Sequence, residues 1–412
     1  MNKYTIPELL APAGDMERLD AALAFGADAV YLAGEKFGMR AASANFSRDE
    51  LAHAVNKAHA LHKKLYVTCN ILPRNKDLAE LPDYFSYLDS IGVDALIISD
   101  FGVMEIAKKY APHCAIHIST QFGVVNYAAA NFLHSLGATR VVLARELSME
   151  EIREIRANTP AGLELEAFVH GAICMSFSGR CVISNYLTGR DANHGECAQP
   201  CRWKYSVIEE TRPEQPMTLL EDADGSYLFN ANDMNMIEHV ADLARSGIAS
   251  FKIEGRAKSA YYTAVTANAY RRAIDGYVES GYAPDYKPDS WIVEELNKIS
   301  HRPYGTGFYY GKPSQYLKAG GYIRSYEVAA VVEDWQDGWL KLGQRNRFFV
   351  GDTLDVLEPG GKPFHFTVPY MENDERLPIE SAPHPTMTVW IPYDKPLKAG
   401  TLLRFNKEES RK

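Results

Sequence analysis

Four of the chain's six cysteines, Cys174, Cys181, Cys197 and Cys201, fall in one stretch, Glu166–Cys201, with 6, 15 and 3 residues between successive members. Thiols gathered this closely serve three ordinary ends: a disulfide knot, a structural zinc site or an iron–sulfur cluster. Zinc sites usually show two close pairs; Cys197/Cys201 qualifies, but Cys174/Cys181 is too wide. Iron–sulfur clusters tolerate irregular spacing. The spacing alone leaves zinc and iron–sulfur equally open and puts a disulfide third. Cys69 and Cys114 lie upstream in apolar runs and read as core thiols.

The flanking pattern positions these residues. Leu163–Val169 alternates apolar and charged residues like a strand and runs into His170-Gly171-Ala172, so Cys174 should follow a strand end. Ser184–Gln199 is polar and rich in Gly, Asn and Asp, a loop able to bring Cys197 and Cys201 back to the first pair. Over residues 1–275 the chain repeats one unit: a helical pattern, a glycine (Gly26, Gly92, Gly137 or Gly247), then a buried-looking strand. With Leu9–Ala13, Lys64–Ile71, Ala115–Gln121 and Leu163–Val169, about eight strands alternate with helices over ~250 residues, which predicts a TIM-type (β/α)8 barrel. Asp15 should cap the first helix and Asp233 the helix ending near Ser246, with a hairpin turning at Asp224-Gly225.

In such barrels chemistry sits where the strand C-termini meet. Here those ends carry Gly34-Glu35, Asn70, Asp100, Thr120-Gln121, Arg145-Glu146, His170 and Glu254-Gly255-Arg256. His170 and Glu254 are the candidate catalytic groups, although a lone strand-end histidine is more often structural. Arg256 and Lys258, beside the start of a long helix, could seat a carboxylate or phosphate; the plainer alternative is pairing with Glu254 and nearby acids. No HExxH or G-x-S-x-G motif is present.

Lys298–Tyr326 contains no acidic residue and interleaves cations with seven aromatic residues. Cations follow a phosphate backbone and aromatic faces stack unpaired bases, so this composition suits single-stranded RNA. A linker whose tyrosines pack on the barrel is the plainer reading of the composition. From Glu327 the pattern changes to short strands and turns, including Asp337-Gly338, and predicts a small C-terminal antiparallel β-barrel. The expected organisation is a barrel over 1–297 with a cysteine-rich insert at 170–232, a basic and aromatic linker at 298–326, and the small β-barrel at 327–412. A net charge of −9 argues against indiscriminate nucleic-acid binding. The opening MNKYTIPELL lacks a basic segment followed by an apolar one, and no run approaches the roughly 20 apolar residues of a membrane span. A reducing cytoplasm is the expected home, with no membrane association.

The run HGAICMSFSGRCVISNY from His170, then GECAQPCRWKY and FKIEGRAKSAYY, together with the opening ELLAPAGDMERLDAALAFGADAVYLAGEKFGMRAASANFS, resembles the bacterial family of collagenase-like peptidases along essentially the whole chain. That resemblance implies a 4Fe–4S cluster on Cys174, Cys181, Cys197 and Cys201, with zinc the lesser alternative. It also implies kinship with the branch that forms 5-hydroxyuridine at the wobble position of the tRNA anticodon loop in a prephenate-dependent manner. A ribosomal-RNA branch hydroxylates a cytidine and shares the motif, and the peptidase label is the remaining alternative. Carried onto this chain, the resemblance makes Arg256, Lys258 and Arg40 candidates for holding the prephenate carboxylates. It makes Arg202, Trp203, Lys204, Arg302, Tyr304, Lys312, Lys318 and Arg324 candidate RNA contacts. A paralogous subunit and an unspecified electron donor are further expected partners.

Overall fold

The computed structural model describes residues 6–39, 45–203, 231–314 and 321–408, and the main chain of four short strands between them, Val207–Glu209, Arg212–Met217, Glu221–Asp222 and Gly225–Ser226. Eight parallel strands form the centre: β1 (Glu8–Pro12), β2 (Ala29–Leu32), β3 (Lys64–Cys69), β4 (Ala95–Ile98), β5 (Ala115–Ile118), β6 (Arg140–Val142), β7 (Glu164–Ala172) and β8 (Ser250–Ile253). Each pairs with its neighbour in sequence, and β8 pairs with both β1 and β7, through Glu8↔Ser250 and Glu166↔Ser250, so the sheet closes. This is the expected TIM-type barrel.

The repeating glycines explain the regularity. Gly26, Gly92, Gly137 and Gly247 have φ of 106°, 81°, 105° and 79°. A residue with a Cβ is strained there, and glycine lets each helix stop and the chain turn straight into a strand. Asp15 caps its helix by accepting from the Arg18 N–H at 2.9 Å. Asp233 does not cap a helix, contrary to expectation. It lies in the short strand Asp233–Asn235, which extends the sheet beyond β7 antiparallel, and its carboxylate is taken by Arg302. Glu221–Asp222 pairs antiparallel with Gly225–Ser226, while Asp224 lies outside the described residues.

Apolar side chains fill the shell between strands and helices, and a smaller cluster, including Leu10, Tyr31, Tyr66 and Ile97, fills the barrel interior. Below it runs a buried ion ladder. Arg140 bonds Glu8 at 2.6 Å and Glu166 at 3.0 Å, and Lys252 bonds the other oxygen of Glu166 at 2.8 Å. Burial pushes the Glu166 carboxyl upward, but Lys252 and Arg140 more than offset this and hold it below the usual range.

The C-terminal unit is a six-stranded antiparallel sheet: β9 (Tyr326–Gln336), β10 (Trp339–Gln344), β11 (Thr353–Leu357), β12 (Phe364–Thr367), β13 (Thr388–Pro392) and β14 (Leu402–Asn406), in the order β12-β11-β14-β9-β10-β13. It curls into a half-barrel around its own apolar core, with Asp337 and Gly338 both at positive φ in the β9–β10 turn. Buried Arg404 donates to Glu295 at 2.5 Å, and Lys298 reaches both Glu295 and Asp355, which locks this unit to the barrel. No helix among the described residues is long and apolar enough to cross a membrane.

Candidate functional site

The long excursion between β7 and β8 folds over the end of the barrel where the strands terminate. Four residue pairs hold its cysteine-bearing part there. The Ser178 N–H and hydroxyl donate to the two oxygens of Glu146, at 2.6 and 2.7 Å, past β6. The Leu72 N–H, past β3, donates to the Asn193 carbonyl at 2.9 Å. His194 pairs with Asp77 at 3.0 Å and Arg74 with Asp191 at 3.2 Å. Asn193 also bonds both polar ends of Cys181's own backbone.

Beneath the excursion lies a cavity of about 190 Å³, and all four cysteines line it. Each is a free, half-buried thiol. Burial raises the Cys201 thiol; Arg202 pulls it down, and the other three cysteines push it up, so each of the three lies within electrostatic reach of Cys201. Among the described residues, no three His, Cys, Asp or Glu side chains are arranged to hold a single metal ion. The donor set on this rim is four thiols. Cys69 and Cys114 are buried away from it, and burial raises both thiols.

The other walls come from the strand ends. Tyr31, Met39, Ile97, Val142 and Phe168 make the apolar surface, while Arg145, Arg202, Lys252 and Arg256 supply positive charge and Glu254 the carboxylate. Arg256 is buried and donates to the Thr68 hydroxyl at 3.1 Å. Of the strand-end ring read from the sequence, Asn70, Thr120, Gln121, Arg145, Glu254 and Arg256 reach the cavity. Asp100 instead caps the following helix, accepting from the Val103 N–H at 3.0 Å.

His170, expected to act at the site, does not line the cavity. It is 1% exposed and packs among Tyr262, Tyr270 and Tyr304, and burial pushes its pKa down to about 3. The expected pairing of Arg256 with Lys258 is also divided. Lys258 faces a neighbouring cleft of about 610 Å³, where it donates to the Ser300 carbonyl and lies 3.8 Å from the centre of the Tyr322 ring. Burial lowers its pKa to about 8, against the pull of Asp233 and Glu254. Arg40 lies outside the described residues.

That cleft meets the cavity at Ala172, Gln199, Arg202 and Glu254, and the C-terminal unit supplies its far wall through Asn346 and Lys407. Arg202 donates to the Tyr322 hydroxyl at 2.8 Å, and exposed Arg324 also lines the cleft. Trp203 and Lys312 are exposed elsewhere. Arg302 is 2% exposed and bound to Asp233 at 2.7 Å, which removes it from any surface a strand could touch. Tyr304 and Tyr309 bond backbone carbonyls at Leu296 and Phe168, so this part of the stretch packs on the barrel, while Tyr322 and Arg324 face the cleft. Lys204 and Lys318 lie outside the described residues. Lys252 and Thr68 were not singled out in the sequence; their signal was only a polar residue at every second position of an otherwise apolar strand.

A model of peptidase family U32 matches residues 14–319, and one of the peptidase family U32 C-terminal domain matches residues 324–404. The chain is 37% identical to tRNA hydroxylation protein P of Escherichia coli (strain K12), covering 98% of each. It is 34% identical to tRNA hydroxylation protein P1 of Bacillus subtilis (strain 168), covering 97% of this chain and 95% of that one. It is 35% identical to the E. coli 23S rRNA 5-hydroxycytidine C2501 synthase, over 72% of this chain and 44% of that protein.

Proposed function

The chain belongs to peptidase family U32, and from that footing we propose that it is an RNA-modifying enzyme that hydroxylates a pyrimidine base. Its reaction is the prephenate-dependent formation of 5-hydroxyuridine at the tRNA wobble position. The names of its relatives, two tRNA hydroxylation proteins and a ribosomal-RNA hydroxycytidine synthase, support hydroxylation of RNA. The observation that carries the reading is the four free thiols on the rim of a cavity that opens into a basic, aromatic cleft. A metal-bearing rim, a small chamber and a strand-binding groove are the parts that base modification outside the helical stack requires.

Cys174, Cys181, Cys197 and Cys201 would hold a 4Fe–4S cluster. Their irregular spacing and shared rim fit an all-cysteine cluster, with zinc the alternative. When bound, the cluster supplies electron transfer or activation of the oxygen donor.

The chain's own groups do the rest. Arg256, oriented by Thr68, and Lys252, oriented by Glu166, present cations to the carboxylates of prephenate inside the cavity. Tyr31, Met39 and Phe168 keep that space apolar, which strengthens those contacts. Arg202, Lys258, Arg324 and Lys407 line the path of the RNA backbone, and Tyr322 offers a ring for stacking. Among the described residues no histidine lines the cavity, so the peptidase alternative has no imidazole there to activate a serine or cysteine.

The direct test deletes the gene and measures hydroxylated nucleosides in bulk tRNA and rRNA by mass spectrometry. Loss from tRNA, restored by the wild-type gene but not by a Cys181→Ala allele, is expected. Unchanged levels in a strain without a paralogue sink the proposal.

A further inference from the structure

Gln121 stands on the short turn Thr120–Phe122 past β5, on the wall of the barrel cavity. The turn itself is pinned: the Thr120 hydroxyl donates to the Leu143 carbonyl at 3.0 Å, and the Gln121 N–H donates to the Ser119 hydroxyl. The side chain is not. It is 3% exposed, and among the described residues neither its amide oxygen nor its amide nitrogen has a hydrogen-bond partner. Buried carboxamides seldom leave both atoms unsatisfied, because the desolvated dipole is then uncompensated.

Arg145 is the second such group on the same wall. Its Nη1 donates to the Ala172 carbonyl at 3.1 Å and its guanidinium lies 5.2 Å from the centre of the Phe168 ring, but its buried Nε has no partner among the described residues. These two residues thus add one unpartnered acceptor and two unpartnered donors to a cavity whose apolar lining includes Tyr31, Ile97, Val142 and Phe168.

We propose that Gln121, with Arg145 beside it on the cavity wall, reads the pairing edge of the target base, bonding the N3–H of uracil and one flanking carbonyl through the carboxamide and the other carbonyl through Arg145 Nε. This rests on the hydroxylase reading for its choice of occupant, but its chemistry is separable. A carboxylate can only accept. It would satisfy the amide nitrogen and the guanidinium while setting its charge against the amide oxygen, so Gln121 is poorly matched to the carboxylated co-substrate. A planar ring with alternating acceptor, donor and acceptor satisfies all three groups. The same contacts consume the pairing edge and leave the C5–C6 side of the ring unengaged by them, which is the side to be modified. Gln121 is therefore a specificity residue, and a positioning one for C5.

The test measures binding to the anaerobically purified holoprotein of two five-nucleotide RNAs, one with a central uridine and one with a central 3-methyluridine. The methyl group removes the N3–H donor and leaves the backbone unchanged. The wild type should bind the uridine RNA at least about tenfold more tightly, the size expected when a buried polar group loses its partner. Gln121→Leu should weaken the uridine RNA by a similar factor and bring the two RNAs together, with an unchanged melting curve and unchanged visible absorbance. Equal binding of both RNAs by the wild type, or no binding of either, overturns the inference whether or not the variant folds. Discrimination that survives in a folded Gln121→Leu protein also overturns it. A protein that separates the two RNAs but hydroxylates neither tRNA nor rRNA overturns the proposed reaction and leaves the edge reading standing.

Discussion

Asn193 grips Cys181 from both sides of its backbone: its Oδ1 accepts from the Cys181 N–H at 3.1 Å, and its Nδ2 donates to the Cys181 carbonyl at 2.9 Å. One side chain thereby fixes the main-chain position of one thiol relative to the loop that carries it. On the proposed cluster assignment, Asn193→Ala should leave the barrel's thermal melt unchanged but lower the iron retained per chain and speed bleaching by a chelator. Iron content and decay equal to wild type would show that Cys181 needs no such support.

The ladder inside the barrel is strongly coupled. Glu166 is fully buried and accepts from Lys252 and Arg140 at once. Glu166→Gln leaves two cations in the interior facing a neutral group, a change that usually costs about 3–5 kcal/mol. The measurement is the urea midpoint of the variant against wild type. A shift of under about 1 kcal/mol would mean that Glu8 and Glu164, which also pairs with Arg140, suffice to balance the ladder.

His170 makes stability sensitive to acid. Its folded pKa is lowered to about 3 by burial, whereas an unfolded histidine titrates near 6.5. Between these values the unfolded chain binds a proton that the folded chain refuses, so stability is present above about 6.5 and is lost as the pH falls toward 3. From about pH 7 to pH 5 this amounts to about 2 kcal/mol. A His170→Gln variant should lose less stability than wild type over that interval in denaturant titrations; identical losses would place the acid response elsewhere.

Arg324 and Arg302 separate the two parts of the acid-free stretch. Arg324 is exposed on the cleft, so Arg324→Gln should flatten the slope of log affinity against log salt for single-stranded RNA by about 0.7. Arg302→Gln should leave that slope alone and destabilise the fold instead, because it strands buried Asp233. Filter binding at several salt concentrations, with a melting curve for each variant, distinguishes them. An unchanged slope for Arg324→Gln would take the RNA path off this cleft.

The barrel was legible because each unit announces its own boundary: helix pattern, glycine, apolar run. The site was legible only to the level of which strand ends compose it. Gln121, Arg145, Glu254 and Arg256 face the cavity, while His170 faces tyrosines and Asp100 caps a helix. A shift of one residue reverses the side on which a strand residue points, and local composition does not record where each strand stops. Arg302 misled for a different reason. Its partner Asp233 is 69 residues upstream, so a stretch without acids looked uncompensated when one of its charges was already matched.

β7 and β8 join directly through main-chain bonds, and the cysteine-bearing excursion leaves after one and returns before the other. Ring closure therefore asks nothing of the sulfurs. On the proposed cluster assignment, a newly synthesised chain would complete its scaffold first and receive inorganic iron and sulfide afterwards. Under that assignment maturation would be a late event at the barrel rim, and loss of the metal would leave the ring of strands closed.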